Sequence, residues 1–170
     1  MRLLLIVFAA LTLTACANQP NRQDVNIQFS ADQAPTETLA RALENQGYVT
    51  KIRNERQIDV FYGERVFIME PRITKGALSR IIVSKVYPIK PEYQNNPEIF
   101  VTLSKLNTHL TCAKYMMQPG NKAAEVQSSI TFIDESVSVR EVELFMAWMQ
   151  NRVRHASSLV PKDTLRMFEF

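Results

Sequence analysis

Apolar and polar positions change period several times along the chain, and each change marks an element. Val25 to Phe29 alternates briefly and reads as a short first strand. Pro35, Glu37 and Gly47 then bracket a helix over 35–46, with Leu39, Ala42 and Leu43 on its apolar stripe. Strands follow at Tyr48–Ile52 and Gln57–Tyr62, the latter with Ile58, Val60 and Tyr62 on one face. Gly63-Glu64 fits a two-residue type II′ turn into a returning strand, Arg65–Met69, where Val66 and Ile68 oppose Phe67 and Met69. Pro71–Ala77 reads as a loop, and the β-branched run within Ser79–Tyr87 as a further strand.

The second half opens on a helix start. Asn96 is an N-cap and Pro97 a first helical residue; Ile99, Leu103, Leu106 and Leu110 continue on one face, which predicts a helix over 97–109. Thr111–Met117 becomes strand-like, Pro119-Gly120-Asn121 turns the chain, and Val126, Ser128, Ile130 and Phe132 alternate with polar neighbours. Ser138 and Glu141 form a capping box for a last helix buried along Val142, Phe145, Met146, Met149 and Val153. Arg152, Arg154 and His155 suit its negative end, and Leu159–Phe170 reads as a tail beyond it. Helices set apart from antiparallel hairpins predict an α+β fold, mainly antiparallel sheet with helices on one side, in the order α-β-β-β(-β)-α-β-β-α with a possible extra N-terminal strand.

The first residues are of a different kind. Met1–Ala15 carries Arg2, an apolar run from Leu3 to Leu13, and small residues before a cut, as an export signal does. The run is too short for a bilayer-spanning helix, which needs about 20 residues. Leu13-Thr14-Ala15-Cys16 resembles the bacterial lipobox. That resemblance implies cleavage after residue 15, a lipid on Cys16 and an acylated amino terminus. Ala17, where a retention signal has Asp, implies sorting to the inner leaflet of the outer membrane, facing the periplasm. Residues 16–24 then form the lipidated cysteine and its tether, 25–156 one α+β domain, and 157–170 the tail.

Of the 170 residues, 46% are hydrophobic and 22% charged, which excludes disorder and multiple membrane spans. The net charge of +3 falls to +2 without Arg2, too little to attract nucleic acid or to hold a membrane electrostatically. With Cys16 lipidated, Cys112 has no intramolecular disulfide partner and is expected to be buried.

The element order, with Leu106-Asn107 before Ala113-Lys114-Tyr115-Met116 and Ser128–Ile133 running into Val139–Met149, resembles the YbjN family of bacterial proteins. The resemblance covers about residues 35–156. It implies the fold of type III secretion chaperones, small modules that dimerise and bind protein segments, and it implies no catalytic residues.

Little catalytic chemistry is legible. His109 and Cys112 could make a nucleophile or half a metal site, but four ligands for a structural zinc are not available, and a helix end beside a small hydrophobe accounts for both. Asp134 and Glu135 fit a solvated turn better than an acid–base pair. Arg53, Arg56, Arg65, Arg72, Lys75 and Arg80 alternate with carboxylates and read as a mixed solvated face. No enzyme, cofactor or metal is therefore expected. Leu144 and Trp148 lie outside the narrow stripe of the last helix and are the candidate interface, with core packing as the alternative for both. The reading is a non-catalytic protein-binding or assembly lipoprotein that meets an envelope protein or itself. The alternatives are a pilotin-like carrier and a small envelope hydrolase.

Overall fold

The computed structural model describes residues 25–111 and 113–169. Its centre is a six-stranded, wholly antiparallel sheet of β2 (Val49–Asn54), β3 (Gln57–Tyr62), β4 (Arg65–Arg72), β5 (Leu78–Pro88), β6 (Lys114–Met117) and β7 (Ala123–Ile133). The spatial order is β2-β3-β4-β5-β7-β6. A second, two-stranded sheet pairs β1 (Asn26–Gln28) with β8 (Ser136–Ser138). Helices α1 (Pro35–Glu44), α2 (Pro97–His109), α3 (Val139–Leu159) and α4 (Lys162–Leu165) complete the α+β fold.

Period-2 alternation decides what each strand buries. Ile58 and Val60 of β3, Phe67 and Met69 of β4, Ile81 and Val83 of β5 and Val126 of β7 share one face. They join Leu39 and Leu43 of α1, Ile99 of α2 and Val142, Met146 and Met149 of α3 in a single core. Ile68 and Ile82, on the opposite face of β4 and β5, are no part of that cluster. The helices thus cover one face of the large sheet.

Caps fix the helices where the sequence places them. The Asn96 side chain accepts the Glu98 N–H at 2.9 Å and Pro97 opens α2, so the expected bounds hold. At α3, Ser138 Oγ accepts the Glu141 N–H at 3.2 Å, while Glu141 accepts the Ser138 N–H at 3.1 Å, a complete capping box. The turn between β3 and β4 has Gly63 at φ 61 and no positive φ at Glu64, the pattern of a type II′ rather than a type I′ turn.

Three expectations need correction. Pro71–Ala77, expected to be a loop, begins as strand: β4 continues through Pro71 and Arg72, paired with Ile81 and Arg80. Pro71 lies beyond the last β3 partner, Met69, so β4 has one neighbour there and a missing N–H can face the open side. Arg152, Arg154 and His155 do not close the last helix, because Val153 and Ala156 remain buried and α3 runs on to Leu159 before Pro161. Phe145 of the expected buried stripe is only half-buried.

The segment after α3 docks on the body. Thr164 is fully buried, and its hydroxyl donates to Glu98 Oε1 of α2 at 2.9 Å. Met167 is buried and Phe168 bridges to Ile89. Further along α2, Asn107 donates to the Tyr115 carbonyl and accepts the Tyr115 N–H, both at 2.7 Å. That side chain occupies main-chain groups of edge strand β6 which would otherwise be open to another strand.

Candidate functional site

The expected lipobox residues Leu13, Thr14 and Ala15, the lipidation residue Cys16, and Cys112 all lie outside the described residues. His109 ends α2 with an exposed ring whose Nδ1 lies 2.8 Å from the Lys105 carbonyl oxygen. That nitrogen therefore carries the proton and donates, as a helix-end histidine does. Asp134 and Glu135 make the turn between β7 and β8, Asp134 at φ 65, a conformation that aspartate tolerates better than most residues. Among the described residues, no group of three or more His, Cys, Asp or Glu side chains is placed to hold a metal ion.

The two candidate interface residues on α3 have different surroundings. Leu144 is 59% exposed. Trp148 is half-buried, its ring 5.2 Å from Phe145 and capped by the Arg152 guanidinium at 5.9 Å.

Two features were not singled out from the sequence. The first is the sheet face turned away from the helices. Register sets Val49, Phe61 and Val66 side by side across β2, β3 and β4. They are 65%, 38% and 38% exposed and form an apolar row. Ile68 and Ile82 lie behind it, and the exposed pair Leu78 and Ile133 closes the far end. Ion pairs stand between these groups: Arg53 to Asp59 at 2.6 Å and Arg72 to Glu70 at 2.7 Å. In β3 and β4 the alternation that reveals the inner face also identifies the outer one. Alignment of the row across three strands depends on register, which no single segment displays.

The second feature is a buried cation. Lys85 occupies an inward position on β5, two residues beyond Val83, and is only 7% exposed. Its ammonium donates to Gln150 Oε1 of α3 at 3.0 Å and sits over the rings of Phe67 and Tyr87 at 5.4 and 5.5 Å. Among the described residues it has no carboxylate partner. Burial pulls its pKa down to about 8, and the Arg65 charge adds to the shift. Ser79–Tyr87 reads as a strand from its β-branched run, which marks neither face as inward, so the inward place of Lys85 comes from the pairing of β5 with its neighbours.

No family model and no curated protein matches the chain. Among solved structures it is similar to YbjN from E. coli, a protein put forward as a transcription regulator, with a TM-score of 0.52 and 15% identity. The match covers 79% of this chain and 95% of that one. At that identity the likeness establishes a YbjN-like fold, the one expected from the order of elements.

Proposed function

We propose that this chain is a non-catalytic protein-binding module, held by a lipid on Cys16 to the periplasmic face of the outer membrane, and that the uncovered sheet face receives its partner. The carrying observation is the row Val49, Phe61 and Val66, exposed on the face that no described helix covers. Size supports the reading. Six strands of 4 to 11 residues, at ~4.8 Å spacing and ~3.3 Å rise, present on the order of 700 Å², near the ~800 Å² per partner of a stable complex. Apolar groups with ion pairs set between them match the mixed make-up of a protein interface.

Phe61→Asp tests the face. Because Phe61 is partly exposed, the variant should keep its melting temperature within a few degrees while partner affinity falls by about 30-fold, the loss typical of an aromatic anchor. Leu144→Asp on α3 serves as the comparison. Loss of binding with Leu144→Asp and full binding with Phe61→Asp would move the interface to the helix. Sedimentation of the purified chain separates self-association from a different envelope protein.

The anchor rests on the lipobox and on the small net charge, and no described helix is long and apolar enough to cross a membrane. Cys16→Ser should abolish incorporation of an alkyne fatty acid and release the protein from membranes, since several acyl chains at ~0.8 kcal/mol per buried methylene supply the attachment. Equal label in wild type and variant would overturn the anchor.

A further inference from the structure

A cavity of about 680 Å³ opens above Lys85, between the β3–β4 turn and the C-terminal half of α3. Its charged lining is Lys85, Arg65 and Arg154 against Glu64 and Glu169, and Gln150 and Tyr87 complete the polar wall. The volume falls in the range of small-molecule sites. We propose that this cavity binds a small organic monocarboxylate with an apolar body, its carboxylate against Lys85 Nζ.

Unmet donors argue for an anion. A lysine ammonium has three N–H donors, and Gln150 accepts one of them. The two aromatic rings attract the charge but offer it no acceptor atoms. A buried cation with no carboxylate of its own is costly unless something of opposite charge meets it. The rim agrees. Arg53 and Arg72, on the same sheet, each hold a carboxylate, whereas Arg65 and Arg154 make no ion pair or side-chain hydrogen bond to a described residue.

Charge and shape narrow the class of ligand. Among the described lining residues, three cations and two carboxylates leave a net +1, which a monoanion neutralises and a dianion overshoots. Tyr87, Val153 and Ser157 also line a smaller apolar hollow of about 60 Å³, enclosed by residues such as Leu103, Leu106 and Val126. The two spaces share these three residues as a common wall, so a ligand whose carboxylate meets Lys85 has an apolar surface beside it for its body. An anion at Nζ also favours the charged lysine, so binding raises the ammonium pKa from about 8.

The test titrates the full-length chain with hydrocinnamate, with the uncharged hydrocinnamyl alcohol and with inorganic phosphate, followed by calorimetry and by the Lys85 ammonium resonance. Hydrocinnamate should saturate one site and shift that resonance. The alcohol should bind at least about tenfold more weakly, the loss expected for a charge-assisted hydrogen bond, and phosphate should be weaker than hydrocinnamate. Lys85→Met should weaken hydrocinnamate by about tenfold or more. Arg65→Gln and Arg154→Gln, both at exposed positions, should each weaken it severalfold without lowering the melting temperature. Affinity should also decline as the pH rises above about 8 and Lys85 loses its proton. The proposal fails if wild type shows no saturable binding in the millimolar range, if the alcohol or phosphate binds as tightly, or if Lys85→Met, folded, binds unchanged. Should Lys85→Met not fold, unchanged binding in both arginine variants would have the same force.

Discussion

Lys85→Met is expected to raise the unfolding free energy near neutral pH by about 1–3 kcal/mol, because it removes a charge that the fold buries at a cost. A lysine whose pKa falls from 10.5 to about 8 on folding carries a penalty on the order of 3 kcal/mol while both states are protonated. Methionine keeps the length of the side chain without the charge, and loss of the Gln150 hydrogen bond and of the contacts with Phe67 and Tyr87 offsets part of the gain. The pH dependence is distinctive. Below about 8 both states hold the proton and the penalty is complete; between about 8 and 10.5 the folded state has released it and the unfolded state has not. The unfolded state then binds more protons, so wild-type stability rises with pH through that window. Tyr87 and Tyr115 work in the opposite sense. Burial raises both phenols above 10.0, so above that pH the unfolded tyrosines ionise first and stability falls. Denaturant melts across this range should show a rise and then a fall for wild type, and only the fall for Lys85→Met. A wild-type curve that is flat from 8 to 10, or a less stable methionine variant, would contradict the charged, buried lysine.

The other large effect is expected at Phe29. Phe29→Ala should cost about 3–5 kcal/mol, the range for emptying a buried aromatic site. The side chain is 2% exposed and stacks on Phe132 with ring centroids 6.1 Å apart. Its N–H also donates to the Glu135 carbonyl at 2.8 Å, which ties the chain after β1 to the turn before β8. Loss of the ring should therefore loosen the two-stranded sheet first. Amide hydrogen exchange should accelerate at Ile27 and Val137, which face each other across it, before the large sheet is affected. Uniform acceleration through both sheets would show that the small one has no separate stability.

These two residues also show what the chain reveals before it is folded. Val25–Phe29 alternates, so a strand was legible there, but its partner Ser136–Ser138 is three residues long and pairs across more than a hundred positions of sequence. Nothing local in Ser-Val-Ser announces a strand. Asn96-Pro97 and the Ser138–Glu141 box fixed helix starts because a cap is chemistry within four residues. The tail expected from Leu159 agrees with the end of α3, but Arg152, Arg154 and His155 lie before its last turn, because burial of Val153 and Ala156 carries the helix past them. The candidate sites follow the same division. Leu144 was legible as an apolar residue off the stripe, and it is exposed. The row Val49–Phe61–Val66 comes from pairing register, and the Lys85 cavity from the meeting of β5 with α3; both are relations between distant segments.

Site-specific photocrosslinking in intact cells puts the docking face to the most direct test. A benzoylphenylalanine probe at position 61 or 66 should form a discrete adduct, either with one envelope protein or with a second copy of the chain. The same probe at 144 should form none, and the adducts at 61 and 66 should weaken when Val49→Asp interrupts the apolar row. Adducts from 144 with none from 61 or 66 would place the partner on α3 and contradict the assignment of the uncovered sheet face.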